Sequence, residues 1–158
     1  MSLLEGLKVT GWTEIEVRDK DGTLLQHGIH DNLITNAGFA ALADLAGDVA
    51  GGTAAFDYIA LGTGTTAAVV TDTTLESEIT DSGLARVQDA SPTRTSSNVV
   101  NDTLCLDYSW TATASKDVTE AGVFNAAVGG TMLARQTFGP YPMENGNTFT
   151  LTWQIRFS

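Results

Sequence analysis

A chain of 158 residues fits a single domain and can bury about 70% of its unfolded surface, enough for an ordinary core. Its one cysteine, Cys105, excludes an intramolecular disulfide framework and any multi-cysteine metal site. A formal net charge of -11, from 19 Asp and Glu against eight Lys and Arg, disfavours nucleic acid and anionic lipid as partners.

The N-terminus, MSLLEGLKV, carries an acidic residue where a secretory signal would be basic, and no run approaches the ~20 apolar residues of a membrane helix. Residues 1–8 read as a flexible arm ahead of one β-rich domain over 9–158. Val9, Gly11, Thr13, Ile15 and Val17 alternate with Trp12, Glu14, Glu16 and Arg18, the signature of a strand with one buried face. Asp19-Lys20-Asp21-Gly22 is a turn, and Thr23 to Gly28 returns as the second arm of a hairpin. The turn lacks the ligand series of a calcium loop. His27 and His30 do not share a strand face and have no third ligand nearby in sequence, so no metal is assigned to them.

Asn36 to Gly47 is the clearest helix, with Asn36 as its cap, Phe39, Leu42, Ala43 and Ala46 as its apolar stripe, and Gly47 at its end. Phe56 to Leu61 is a short strand leading into Gly62-Thr63-Gly64-Thr65. That run lacks the Gly-Lys-Ser/Thr ending and following helix of a phosphate loop, and reads as a turn. Thr73 and Glu76 have capping-box spacing, which predicts a second short helix near 74–79 with Leu75 and Ile79 inward. The segment after Gly83 to Val87 can pair with the sheet, whereas Ala90 to Asn98 is loop-like.

Leu104, Leu106, Tyr108, Trp110 and Ala112 mark a long strand with Cys105 on its polar face, where no base activates the thiol. The C-terminal quarter predicts a three-stranded meander: Val118 to Asn125, Thr131 to Phe138 and Thr148 to Phe157. Gly129-Gly130 and Glu144-Asn145-Gly146-Asn147 form its turns. In the last strand Phe149, Leu151, Trp153, Ile155 and Phe157 share one face. No nucleophile, base and orienter set is visible, and Glu14, Glu16 and Glu120 are not spaced as an acid and nucleophile pair, so no enzymatic activity and no cofactor are expected.

Three segments occur in a suggestive order: Asn32-Leu33-Ile34-Thr35-Asn36-Ala37-Gly38 opening a helix, Tyr58-Ile59-Ala60-Leu61-Gly62-Thr63-Gly64 followed by Thr73-Thr74-Leu75-Glu76, and Thr119-Glu120-Ala121-Gly122-Val123-Phe124-Asn125 leading to Met132-Leu133-Ala134-Arg135. In that order they resemble small structural proteins of tailed viruses, both capsid decoration (cement) proteins and the N-terminal modules of tail-fibre or tail-collar proteins. The resemblance implies a mainly β domain working as a trimer or other symmetric homo-oligomer on a virion. The absence of a repetitive shaft favours decoration, with the major capsid protein as partner and the capsid exterior as location. The expected architecture is an antiparallel β-sandwich or barrel-like closure, of the β-tulip or jelly-roll kind. Partner contacts are expected from the arm (Leu3, Leu4, Lys8), from the 90–98 loop (Arg94) and from a Gly139 to Met143 loop (Tyr141, Met143).

Overall fold

The computed structural model describes residues 6, 8–47, 49 and 52–158. Ten strands and one helix follow in chain order: β1 (Val9–Arg18), β2 (Leu24–Asp31), β3 (Leu33–Ile34), α1 (Asn36–Gly47), β4 (Tyr58–Gly62), β5 (Val87–Gln88), β6 (Thr93–Thr95), β7 (Thr103–Thr111), β8 (Lys116–Phe124), β9 (Met132–Met143) and β10 (Thr148–Phe157). They form two antiparallel sheets, ordered β2-β1-β10-β7-β6 and β3-β9-β8-β4-β5. The protein is a β-sandwich with one short helix.

The main core fills the space between the sheets. Ile15, Val17, Leu106, Trp110, Phe149, Leu151, Trp153 and Ile155 of the first sheet meet Ile59, Leu61, Val118, Val123, Leu133 and Met143 of the second. The alternation read along β10 therefore holds: its inward residues from Phe149 to Ile155 have no solvent exposure, and Phe157 is half-buried at the rim. Each such side chain contributes about 1.5–3 kcal/mol on burial.

The predicted meander does not form. β8 and β9 are a hairpin of the second sheet, but β10 lies in the first, between β1 and β7. The turn at Glu144 to Asn147 carries the chain across the sandwich. Gly146 sits at φ 90°, the Gly146 amide donates to Ala112 and the Asn147 amide to Glu144. β9 also runs through Gly139-Pro140-Tyr141-Pro142-Met143, which the sequence presents as a loop. β3 pairs with β9 only at Ala134 and Arg135, so beyond that point β9 has a free edge, where a strand tolerates proline.

Thr35, not Asn36, caps α1: its Oγ1 accepts from the Gly38 amide at 2.9 Å and donates to the Met132 carbonyl at 2.6 Å. The helix is thereby pinned by its first turn to β9. No helix forms near 74–79. The Glu76 carboxylate, expected to close a capping box on Thr73, instead accepts from the amide and hydroxyl of Thr66. Leu75 and Ile79 still point inward. The connection between β4 and β5 is thus an extended excursion over the outer face of the second sheet, where Leu75 closes a small second core with Ala60, Phe124 and Met132. Within the segment predicted to be a loop, Thr93–Thr95 adds an edge strand to β7.

Candidate functional site

Two polar constructions stand out, and their chemistry differs. The first lies under the β4–β5 excursion. Glu120 of β8 is fully buried, and its carboxylate accepts from the amides of Gly64, Glu76 and Ser77 and from Nε and Nη2 of Arg135. Arg135 reaches on to Asp72 at 2.8 Å and to the Thr66 carbonyl. The Gly-Thr run after β4 therefore does cradle an anion, but the anion is a carboxylate of its own chain. A Cβ at Gly62 or Gly64 would fall 2.5 Å from Glu120 Oε1, which is why glycine stands at both positions. With five donors on its two oxygens, Glu120 is committed to holding the structure together.

The second construction is open. At one end of the sandwich the start of β1, the end of β10, the β2–β3 crossing and the N-terminal turn of α1 enclose a cleft of about 540 Å³. Lys8, Trp12, Asp31, Asn32, Asn98 and Arg156 are among its lining residues. Arg156 lays its guanidinium over the Trp12 ring at 5.5 Å. The Asn32 side chain lies against Gly11, and neither its Oδ1 nor its Nδ2 has a hydrogen-bond partner; Arg156 Nε is likewise enclosed and unpartnered. Val9 and Phe39 also line a neighbouring apolar trough of about 400 Å³, completed by Leu42, Ala43, Ala46 and Phe157. Phe39 and Leu45 remain 46% and 43% exposed, so the apolar surface of α1 is only partly covered by its own sheets.

The loop bearing Asn98 is shaped by Asp102. Its carboxylate accepts from the amides of Ser97, Asn98 and Val99 and from the hydroxyls of Ser97 and Thr103. Desolvation pushes this carboxyl up, but the hydrogen bonds from Val99, Ser97 and Thr103 outweigh it and hold the group well below the usual carboxylate range.

Of the contact residues expected from sequence, Leu3 and Leu4 lie outside the described residues. Lys8 is no free arm: its backbone exchanges hydrogen bonds with Ser158, extending the β1–β10 ladder, and the residue is among those that line the cleft. Arg94 is exposed on the edge strand β6. Tyr141 and Met143 are not exposed loop residues. Both side chains point into the sandwich, with exposures of 6% and 1%, because β9 continues through them; the Tyr141 hydroxyl pairs with His30 Nε2 at 2.8 Å. Burial lowers the His30 pKa. His27, on the other face of β2, pairs with Glu14 at 2.9 Å and lies across from Glu16. The neighbouring strand thus brings two carboxylates to this histidine, although Glu16 is already engaged by Arg18. Cys105 is half-buried, and burial pushes its thiol up, away from a reactive thiolate.

Asn32, Trp12 and Arg156 were not singled out by the sequence. Trp12 and Arg156 read as ordinary outward positions of two strands; only the β1–β10 register, which sets Trp12 opposite Gln154 and Thr10 opposite Arg156, brings them together. No protein family, characterised protein or solved structure matches the chain.

Proposed function

We propose that this chain is a virion structural protein, a decoration (cement) protein that binds the assembled capsid lattice and stabilises the shell. The observation carrying this reading is the apolar trough beside the polar cleft: a rigid sandwich presents at one end an uncovered apolar surface flanked by cations, a surface suited to a protein partner. The order of sequence segments, which resembles that of such proteins, is in keeping with it. The partner would be the major capsid protein, and the location the capsid exterior. Stabilisation follows from mass action: a ligand that binds only the assembled shell stabilises it by RT ln(1 + [L]/Kd), and several contacts per oligomer add through effective concentration.

Self-association as a symmetric homo-oligomer, a trimer in this reading, draws support from β2. It is an edge strand of eight residues with Leu24, Leu25 and Ile29 exposed. An uncovered edge of this kind invites pairing with another chain.

The test is co-sedimentation of the purified protein with expanded, undecorated capsids, together with its copy number per particle by gel densitometry. Saturable binding at a stoichiometry that follows the capsid lattice is expected. A few copies per particle would assign the protein to the tail, collar or fibre base instead, and an absence of binding would remove the decoration reading.

A further inference from the structure

The cleft has a chemistry of its own that specifies what it can hold. Five of the eight Lys and Arg residues are consumed by acidic neighbours: Arg18, Lys20, Arg86, Lys116 and Arg135 each form an ion pair. Among the described residues, the other three (Lys8, Arg94 and Arg156) have no ion-pair partner, and two of them, Lys8 and Arg156, line this cleft. In a chain with 19 acidic groups, two unspent cations in one place form an exception to the surrounding potential. Behind the wall, Arg156 Nε and both polar atoms of the Asn32 side chain are enclosed without a hydrogen-bond partner.

We propose that the cleft receives the side-chain carboxylate of an acidic residue in a partner protein segment, while an adjoining apolar side chain of that segment seats in the trough. This rests on the reading that this end of the sandwich is the docking surface, and it names the group that is recognised. A guanidinium fork and an ammonium suit a carboxylate. Asp31 also lines the cleft, without an ion pair to either cation, and its charge disfavours more highly charged anions such as phosphate. Nucleic acid is opposed by the net charge of the whole chain. The trough shares Val9 and Phe39 with the cleft, so an acid and an apolar residue close together in one segment reach both.

The test is a titration of the full, ¹⁵N-labelled chain with N-acetyl-Leu-Glu-amide, with its N-acetyl-Leu-Gln-amide counterpart and with inorganic phosphate. Saturable shifts are expected at Arg156 Nε–H, the Asn32 side-chain amide and the Trp12 indole, with the Glu peptide binding about fivefold tighter than the Gln peptide, the scale of one exposed ion pair. Arg156→Gln and, separately, Lys8→Gln should erase that preference. Equal affinity for the two peptides, phosphate binding as well as the Glu peptide, or no shift at these groups overturns the proposal. Dilution-dependent shifts at the same groups without any peptide would assign the cleft to a second copy and overturn it too. The peptide comparison on the unsubstituted chain does not depend on either variant folding. Loss of peptide discrimination with capsid binding intact would sink this inference alone; peptide discrimination without capsid binding would sink the decoration reading alone.

Discussion

Glu120 holds the outer layer to the sandwich, and its environment explains why a carboxylate sits with no solvent exposure in a small β domain. Three amides and an arginine replace the water it loses. Removing one member of such a set leaves the others buried and unpaired, a loss of about 3–5 kcal/mol for a buried ion pair. Glu120→Ala should therefore lower stability by about that amount in urea denaturation, and Gly64→Ala should destabilise by about 1–3 kcal/mol by pressing on the same carboxylate. Asp102 predicts a pH effect. Its folded pKa lies below the unfolded value of about 3.9, so its stabilisation is present above that value and is lost as pH falls through the folded one. Asp19, Glu76 and Asp81, also lowered, act in the same direction. The thermal midpoint should fall between about pH 5 and pH 2, and Asp102→Asn should flatten part of that fall.

Among the elements, α1 makes the sharpest prediction, because helix propensity and packing disagree. Gly38 lies in its first turn, where alanine would favour the helix by up to about 1 kcal/mol. A Cβ there, however, would overlap the backbone carbonyl of Leu133 on β9. The backbone of a central strand cannot give way as a side chain can, so Gly38→Ala should destabilise, by roughly 1–3 kcal/mol, measured by thermal or denaturant unfolding. The same helix shows what a sequence makes legible. The 36–47 span is read directly, although Phe39, Ala43 and Ala46 of its apolar stripe stay exposed and Gly38 and Ala41 are the buried residues; alternation gives the buried faces of β1 and β10, and that of β7 at Leu106 and Trp110 but not at Tyr108, which is exposed while Thr103 is buried. Alternation says which face is buried but not which strand lies alongside, so the sequence pattern sets β10 beside β9 although it lies between β1 and β7. An Asn-Gly reversal at Glu144 to Asn147 looks the same whether the chain returns within a sheet or crosses between two. Pro140 and Pro142 disguise the second half of β9, since their lack of an amide hydrogen is harmless only on an edge that topology defines. The cleft was hidden for a related reason: Trp12, Asn32 and Arg156 are far apart in sequence, and only strand register and the β2–β3 crossing assemble them.

On the scale of the whole molecule, the two ends of the sandwich differ. One carries the turns at Asp19 to Gly22 and Glu144 to Asn147. The other carries the cleft, the trough and the loop that Asp102 braces. Under the proposed function, net charge keeps free copies dispersed and the apolar, cation-flanked end engages the partner. Phe39→Ser, a change at the trough of a half-exposed side chain outside the main core, should weaken capsid association at least tenfold in co-sedimentation while leaving the urea midpoint nearly unchanged, since interface anchors carry most of a binding energy. The most direct measurement is cryo-electron microscopy of expanded, undecorated capsids mixed with the purified protein. The proposed function predicts ordered density at symmetric lattice positions, with the end bearing α1 and the cleft against the shell. Capsids without such density, or decorated by copies that touch the shell through the Asp19 to Gly22 end, would contradict it.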